Sequence, residues 1–285
     1  MRTVVHSGYQ PPGPSIRGLR RGTGYSIGRR FVTPRGMETA GYLRAVRLLR
    51  DEVAAFDAYP FSIPAVRALD ELTLHPKVTF LIGDNGSGKS TLIEAIAVLA
   101  GFNAEGGSKN FRFSTRSSES ELHRFMRPVR GISRPKDGFF LRAESYFNLG
   151  TEIERLDREP GRGGPIIDGY GGVSLHEQSH GESFLALANH RLRGHGLYIL
   201  DEPEAALSPQ RQLSLLAIMH DLIENMRSQF VIATHSPILM AYPKAMIYRL
   251  GGAGIERVAY EETEHYQITR DFLNAPERFF KTLFR

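Results

Sequence analysis

Cysteine is absent from the 285-residue sequence, which excludes disulfides and thiolate metal sites and fits a reducing compartment. Long apolar runs are also missing, because no stretch approaches the roughly 20 residues that a transmembrane helix needs. No apolar signal-peptide core lies near the N-terminus. These absences predict a cytoplasmic protein without a membrane-spanning segment, and they leave open a membrane-bound partner.

Acidic residues are missing from residues 1–36, which contain seven arginines and no lysine. The segment is rich in Gly, Pro and Ser and has no periodic apolar pattern, so we expect it to be disordered. It also resembles an organelle transit peptide, and Met37 is an alternative start of the chain. We therefore predict a disordered basic leader, 1–36, and a single domain, 37–285.

A second basic stretch, residues 106–136, has a local charge of +6, against +5 for the whole chain. Its basic residues are Lys109, Arg112, Arg116, Arg124, Arg127, Arg130, Arg134 and Lys136. One interpretation is a contact surface for the phosphate backbone of DNA or RNA. The other is a solvated face, or one that pairs with the acidic remainder of the domain.

Short apolar runs that predict strands alternate with patterns that predict helices. The predicted strands are 42–49, 78–82, 139–141, 198–200 and 230–233, and the predicted helices are 91–100, 182–193 and 208–226. This alternation predicts an α/β fold with a mostly parallel sheet flanked by helices. Residues 264–285 resemble an amphipathic helix that packs on the domain or on a partner.

A glycine-rich loop follows the predicted strand 78–82 and fits the pattern G-x-x-x-x-G-K-[ST] at every fixed position. Glycines allow a tight loop whose backbone N–H groups face phosphate oxygens. Lys89 would contact the β- and γ-phosphates of ATP, and Ser90 would ligate Mg²⁺. The predicted nucleotide-binding residues are Gly83, Asp84, Asn85, Gly86, Ser87, Gly88, Lys89, Ser90 and Thr91.

Two carboxylates, Asp201 and Glu202, end the predicted strand 198–200. A P-loop needs a second strand that ends in an acid, because the metal must be held from the opposite side. We expect Asp201 to hold Mg²⁺, and Glu202 to act as the general base on the attacking water.

Further segments resemble the motifs of ABC-type ATPases. Gln178 to Glu182 is similar to the family signature Leu-Ser-x-Gly-Gln/Glu, except that Gln178 replaces the leucine. The resemblance implies that Ser179, Gly181 and Glu182 belong to a signature that acts on a second copy, and that Ser179 and the Gly181 backbone contact the γ-phosphate of the ATP held there. It also implies that Ala205–Ser208 is the D-loop, which the family places between two copies. His235, in Thr234-His235-Ser236, resembles the switch histidine, which contacts the γ-phosphate and helps to align water and Glu202.

One family feature is missing, because no glutamine lies between Lys89 and Gln178 to serve as the Q-loop residue. Glu144 is a candidate replacement near Mg²⁺, and it is equally a candidate surface acid. An aromatic residue upstream of the P-loop stacks on adenine in many relatives. Tyr59 and Phe61 are the candidates for that position, and either is also a candidate core residue.

The resemblance covers roughly residues 40–260. The segments 201–209 and 234–237 are similar to those of RecF-like, OLD-like and short bacterial AAA-type ATPases. The resemblance implies a P-loop domain with a small helical or loop subdomain before the signature, which binds ATP and Mg²⁺. We therefore expect an ATP hydrolase that works as a dimeric clamp or switch. Two alternatives stay open: an ABC transporter's ATP-binding subunit, or a nucleic-acid-associated ATPase of the repair or defence type.

Overall fold

The domain that contains the motifs is described for most of its length. The computed structural model describes residues 41–108, 120–142, 146–158, 167–168, 172 and 180–284. The predicted leader, 1–36, lies outside these residues, as do the candidates Glu144 and Ser179.

The described strands and helices follow one another in the order that the sequence predicts, with additions. The strands are β1 (Leu43–Leu48), β2 (Glu71–Thr73), β3 (Val78–Ile82), β4 (Met126–Arg130), β5 (Asp137–Arg142), β6 (Gly196–Asp201), β7 (Gln229–Ala233), β8 (Met246–Gly251) and β9 (Gly254–Val258). The helices are α1 (Pro64–Arg67), α2 (Lys89–Ala100), α3 (Tyr146–Arg158), α4 (His180–Arg191), α5 (Pro209–Glu224), α6 (Pro237–Met240), α7 (Glu264–Asn274) and α8 (Pro276–Leu283).

The main sheet has six strands in the order β5-β6-β7-β3-β8-β9. All neighbours are parallel except β8 and β9, which form an antiparallel hairpin. The predicted mostly parallel α/β sheet is therefore confirmed. Because β3, β6 and β7 run in the same direction, the segments that follow them meet at one edge of the sheet.

The first predicted strand is confirmed as β1, but it does not belong to the main sheet. It is the centre of a separate three-stranded antiparallel sheet, β2-β1-β4. Gln229, at the start of β7, connects the two sheets, because its side chain accepts a hydrogen bond from Leu43 N and donates one to Leu43 O. The buried amide thus satisfies backbone groups of β1 that would otherwise be costly to bury.

Each face of the main sheet covers its own hydrophobic core, because successive side chains of a strand point to opposite faces. Phe230 and Ile232 of β7 join the core under α4, α5 and α6. Val231 and Ala233 join the other core, which α2 and the antiparallel sheet cover. β3 and β7 are buried along their whole length, as expected of central parallel strands.

The C-terminal segment differs from its prediction as one helix over 264–285. It forms two helices, α7 and α8, which meet at Pro276. Proline lacks a backbone N–H and disfavours the helical conformation of the preceding residue, and Ala275 accordingly has φ of −151°. Within the described residues, no helix combines the length and apolar character required to cross a bilayer.

Candidate nucleotide-binding and catalytic site

The glycine-rich loop lies between β3 and α2, as the sequence predicts. Gly83, Gly86 and Gly88 have φ values of +146°, +80° and +97°, which favour glycine. A β-carbon at Gly83 would lie 2.2 Å from the carbonyl oxygen of Leu250, so the loop can follow this path only with glycine there. Ser87 Oγ is buried and has no hydrogen-bond partner among the described residues, which leaves a polar atom available to a ligand.

The side chain of Lys89 is buried and lies across the loop. Its Nζ donates hydrogen bonds to the carbonyl oxygens of Gly83 at 2.9 Å and Asp84 at 3.0 Å. Burial lowers the pKa of Lys89, and the carboxylates of Glu202 and Asp201 oppose that effect. The ammonium group therefore lies inside the loop that the motif assigns to phosphates, and it faces the acids of β6.

Ser90 and Asp201 come together at the edge of the sheet. Ser90 Oγ donates to Asp201 Oδ1 over 3.4 Å, and Asp201 is only 5% exposed. On the other side of Asp201, Arg142 Nε lies 3.6 Å from Oδ2. Arg142 is paired with Asp201 in the β5–β6 register, and its Nη1 also donates to Glu94 Oε2 at 2.7 Å.

Glu202 and His235 form a second pair at the same edge, from the segments that follow β6 and β7. His235 Nε2 lies 3.3 Å from Glu202 Oε1. Glu202 has left-handed backbone angles, φ +50° and ψ +52°, which are uncommon for a residue with a β-carbon. The backbone therefore turns sharply after Asp201, so the two neighbouring acids serve different partners.

His235 is held by two further residues. Its backbone N–H donates to Glu204 Oε1, and its Nδ1 lies 3.1 Å from His265 Nε2. Ser236, which follows it, caps α6 by accepting hydrogen bonds from the backbone N–H groups of Ile238 and Leu239.

The described part of the signature segment is the start of α4, with Gly181 and Glu182. A β-carbon at Gly181 would lie 2.3 Å from Arg211 Nη1 and 3.0 Å from the carbonyl oxygen of Ala206. Glu182 Oε1 forms an ion pair with Arg211 Nη2 at 3.1 Å. The signature helix therefore packs closely on the segment predicted as the D-loop, and a side chain at 181 would displace Arg211 and crowd the carbonyl group of Ala206.

The two aromatic candidates for adenine lie in different environments. Phe61 is 9% exposed and packs edge-on against Phe56 and Phe125. Tyr59 is 66% exposed, and its hydroxyl lies 3.3 Å from Thr91 Oγ1 at the start of α2. Tyr59 is thus the one of the two whose ring is open to a ligand beside the P-loop.

Three residues of the site were not predicted from the sequence: Arg142, Glu204 and His265. Arg142 and His265 are distant in sequence from the groups that they contact. Glu204 lies within the segment 201–209, but the sequence gives it no role of its own. Arg142 and Asp201 each directly follow a predicted strand, but the sequence does not show that these two strands are neighbours in the sheet.

Known proteins with similar sequence or structure include an ATP-binding protein for thiamine import, a component of an ABC transporter complex and an SMC head domain. The thiamine import ATP-binding protein ThiQ of Chelativorans sp. (strain BNC1) is 29% identical over 197 residues, which cover 65% of this chain and 78% of that protein. The structure of cbiO1 from Clostridium perfringens, part of the ABC transporter complex cbiONQ, has a TM-score of 0.47 at 16% identity and covers 83% of this chain and 97% of its own. The SMC head domain from Thermotoga maritima has a TM-score of 0.39 at 17% identity, and the match covers 76% of this chain and 98% of the SMC head chain. At these identities and TM-scores, neither structure indicates an activity.

The match to a protein family is more extensive. The family described as "AAA domain, putative AbiEii toxin, Type IV TA system" matches residues 78–170 and 148–241. These matches together span more than half of the chain, and they include the P-loop, the end of β6 and His235. The chain therefore belongs to this AAA-domain family and is a P-loop ATPase of the ABC type.

Proposed function

We propose that this chain binds ATP with Mg²⁺, hydrolyses it to ADP and phosphate, and works as a nucleotide-driven dimeric clamp or switch. One observation carries the proposal. Five side chains from three strand ends meet at one edge of the sheet: Lys89, Ser90, Asp201, Glu202 and His235. They supply a phosphate-binding cation, oxygen ligands for a metal, and a base with an adjacent imidazole.

The loop 83–90 is suited to the triphosphate. Its glycines adopt conformations that expose backbone N–H groups, and α2 directs the positive end of its dipole at the loop. Lys89 exchanges its bonds to the two loop carbonyls for bonds to phosphate oxygens, and the unpartnered Ser87 Oγ is available as a further donor. Tyr59 stacks on the base from the outside of the loop.

The donor set at Ser90 and Asp201 suits Mg²⁺, which prefers oxygen ligands and usually has one or two from the protein, with phosphate and water completing the shell. The Ser90 hydroxyl and an Asp201 oxygen already lie within 3.4 Å of each other. The bound ion would neutralise charge that develops on the phosphate oxygens. Arg142, beside the other Asp201 oxygen, holds the carboxylate in place. Glu144, a candidate for the same site from the sequence, remains a proposal.

Hydrolysis needs a base close to the γ-phosphate. The Glu202 carboxylate takes a proton from the attacking water, and the water oxygen forms a bond to the γ-phosphorus. The bond between the γ-phosphorus and the bridging oxygen breaks, and that oxygen leaves with ADP. His235, whose Nε2 lies 3.3 Å from Glu202 Oε1, orients the attacking water and the γ-phosphate. Lys89 stabilises the charge that moves onto the phosphate oxygens.

The dimer follows from the signature segment. Gly181 and Glu182 lie in the first turn of α4, and a helix N-terminus binds anions. By resemblance to ABC-type ATPases, this helix start contacts the γ-phosphate that the P-loop of a second copy holds. Two copies then close head to tail on two ATP molecules, and hydrolysis releases them.

The substitution Glu202→Gln tests the proposal. We expect turnover to fall by at least about a hundredfold, because the amide cannot take a proton from water. ATP and Mg²⁺ still bind, so the variant should elute as a dimer with ATP on gel filtration while the wild type returns to a monomer. Calorimetry with Mg-ATP measures binding separately from turnover.

The matched control is Lys89→Ala, which removes the phosphate-binding cation and should abolish both ATP binding and the dimer. Normal hydrolysis by Glu202→Gln would remove Glu202 as the base. A folded wild-type chain that gives no heat with Mg-ATP would contradict the whole proposal.

A second candidate function is the ATP-binding subunit of a transporter, which the 29% identity to a thiamine import ATP-binding protein favours. It predicts co-purification with a membrane protein and ATPase activity that depends on that protein. The cytoplasmic location inferred from the sequence is compatible with either function, and cell fractionation would test it.

A further inference from the structure

A second histidine lies beside the switch histidine and comes from an element with no motif. His265, on α7, has its Nε2 3.1 Å from His235 Nδ1, and the ring centroids are 5.3 Å apart. Its ring also lines an open cleft that includes Gly83 and Asp84 of the P-loop. A residue near the C-terminal end of the chain therefore contacts the catalytic edge of the sheet directly.

Local packing holds His265 in this position. Thr263 caps α7 by accepting from the backbone N–H of Tyr266, and its own hydroxyl donates to Tyr260 O at 2.7 Å. The hydroxyl of Tyr260 in turn donates to Pro237 O at 2.9 Å. Since Pro237 begins α6, two residues after His235, these hydrogen bonds tie α7 to the switch segment.

Only one hydrogen can lie between the two rings, and its position can be deduced from their other neighbours. Glu202 Oε1 lies 3.3 Å from His235 Nε2, although this nitrogen makes no hydrogen bond among the described residues. A carboxylate is an acceptor only, so its negative charge favours a proton on His235 Nε2. In a neutral ring, Nδ1 is then unprotonated and must accept its hydrogen bond. The donor to it is the Nε2–H of His265.

The alternative placement of that hydrogen is unfavourable at both ends. If His235 Nδ1 donated instead, its unprotonated Nε2 would face the Glu202 carboxylate, so two acceptors would oppose each other. His265 would then carry its own hydrogen on Nδ1, which is buried and has no partner among the described residues. That buried donor would be unsatisfied, whereas a hydrogen on His235 Nε2 has the Glu202 carboxylate 3.3 Å away.

The surroundings of His265 favour its neutral form. Burial lowers the pKa of His265, and the neighbouring His235 lowers it further. Asp84 and Glu264 raise it and Lys89 lowers it, and these effects are smaller than that of burial. Glu202 and Glu204 are the acids that contact His235.

We propose that His265 is a positioning residue: its Nε2–H donates to His235 Nδ1 and fixes His235 in the tautomer that carries its hydrogen on Nε2, toward Glu202. The switch histidine is thereby held at its backbone by Glu204 and at its ring by α7. The catalytic consequence rests on the proposed ATP hydrolysis, whereas the tautomer itself does not.

Nitrogen-15 NMR of the full chain, labelled at histidine, tests the tautomer without reference to activity. We expect the His235 ring of the wild type to carry its hydrogen on Nε2, and the His265→Leu variant to show both tautomers in exchange. The His265→Gln variant should preserve the wild-type tautomer, because its amide N–H can occupy the position of the Nε2–H. His265→Asn, whose shorter amide cannot reach, serves in place of His265→Leu if that variant does not fold.

Kinetics supply the second readout. His265→Leu should lower kcat for ATP by about tenfold with KM changed by less than about twofold, since His235 is still present but is no longer oriented. His265→Gln should recover most of the loss. His220→Leu is the matched control, because His220 lies elsewhere, 3.3 Å from the hydroxyl of Tyr242.

A His235 ring that keeps its hydrogen on Nε2 in the His265→Leu and His265→Asn variants would overturn the proposal. So would a wild-type ring protonated on Nδ1. A wild type that shows the expected tautomer but no hydrolysis would instead contradict the proposed function and leave the role of His265 in place.

Discussion

Glu202 combines a catalytic position with an unfavourable backbone conformation. A left-handed conformation costs a residue with a β-carbon about 1–2 kcal/mol relative to glycine. Glu202 adopts it at φ +50° immediately after Asp201, and its N–H is held by the carbonyl oxygen of Ala233 at 2.9 Å. The turn lets Asp201 face Ser90 while Glu202 faces His235. The strained backbone therefore allows two adjacent acids to contact different partners.

Two substitutions at this position separate the backbone strain from the chemistry. Glu202→Gly and Glu202→Ala both remove the carboxylate, and both should abolish hydrolysis. We expect Glu202→Gly to be more stable than Glu202→Ala by about 1 kcal/mol, because only glycine adopts these angles without strain. Urea unfolding without nucleotide measures the difference. Equal stability of the two variants would show that the turn stores no strain.

The residues that the sequence predicted at this site all belong to continuous motifs. The P-loop, Asp201-Glu202 and His235 each follow an apolar strand, so their chemistry and their context can be read together. Arg142 and His265 reach the site only through the fold, because one is paired by strand register and the other by a helix that packs back on the sheet. Single-sequence patterns hold no information on such contacts.

At the scale of elements, Asp137 joins three segments on the side of the sheet remote from the P-loop. Its carboxylate, at the start of β5, accepts hydrogen bonds from Arg191 Nη1 at 2.8 Å, the Arg193 backbone N–H at 3.1 Å and the Tyr198 hydroxyl at 2.8 Å. Burial alone would raise the pKa of Asp137, but these donors together hold it below its usual value. The contacts connect β5, the end of α4 and β6.

The variant Asp137→Asn should therefore lose about 2–3 kcal/mol of unfolding free energy at pH 7, since the charge-assisted bonds from Arg191 and the other donors weaken. The pKa of Asp137 is lower in the folded chain than the value of about 4 expected in the unfolded chain. The carboxylate therefore contributes its full stabilisation above about pH 4, and that stabilisation is lost as pH falls through the folded pKa. The gap between wild type and variant should thus narrow below about pH 4.

Urea unfolding at a series of pH values measures this gap. Asp221→Asn is the matched control, because Asp221 is exposed on α5 and its carboxylate accepts a hydrogen bond from Asn225 one turn away. We expect that substitution to change the stability by no more than about 0.5 kcal/mol. A gap for Asp137→Asn that stays constant from pH 7 to about pH 3.5 would contradict the assigned role.

Elements with a strong local pattern were predictable, and those that depend on distant pairing were not. β3, β6 and β7 are continuous apolar runs, α2 directly follows the P-loop motif, and α5 follows the N-cap residue Ser208. The antiparallel sheet β2-β1-β4 joins strands that are far apart in sequence, for example Val46 with Pro128. Its pairing depends on tertiary packing, because β2 has only three residues and a weak pattern of its own.

At the scale of the whole molecule, charge is distributed unevenly along the chain. The chain has a net charge of +5, and residues 1–36 contribute seven positive charges without an acid. In the described part of the second basic stretch, Arg124 pairs with Glu121, and Arg127 and Arg130 donate to backbone carbonyls. The leader is therefore the stronger candidate for contact with a polyanion.

Deletion of residues 1–36 tests this candidate, because it takes the formal net charge from +5 to −2. We expect the full chain to bind a labelled DNA duplex at low salt, with an affinity that falls steeply as salt rises. The deletion variant should bind more weakly, and its affinity should depend less on salt. The slope of the logarithm of the binding constant against the logarithm of the salt concentration should become shallower by about 0.9 for each phosphate that the leader neutralises. Fluorescence anisotropy across a salt series measures both quantities, and ATP hydrolysis should be unchanged.

If the deletion variant keeps the same affinity and slope, the leader does not bind the duplex, and Arg124→Gln then tests whether the stretch 106–136 does.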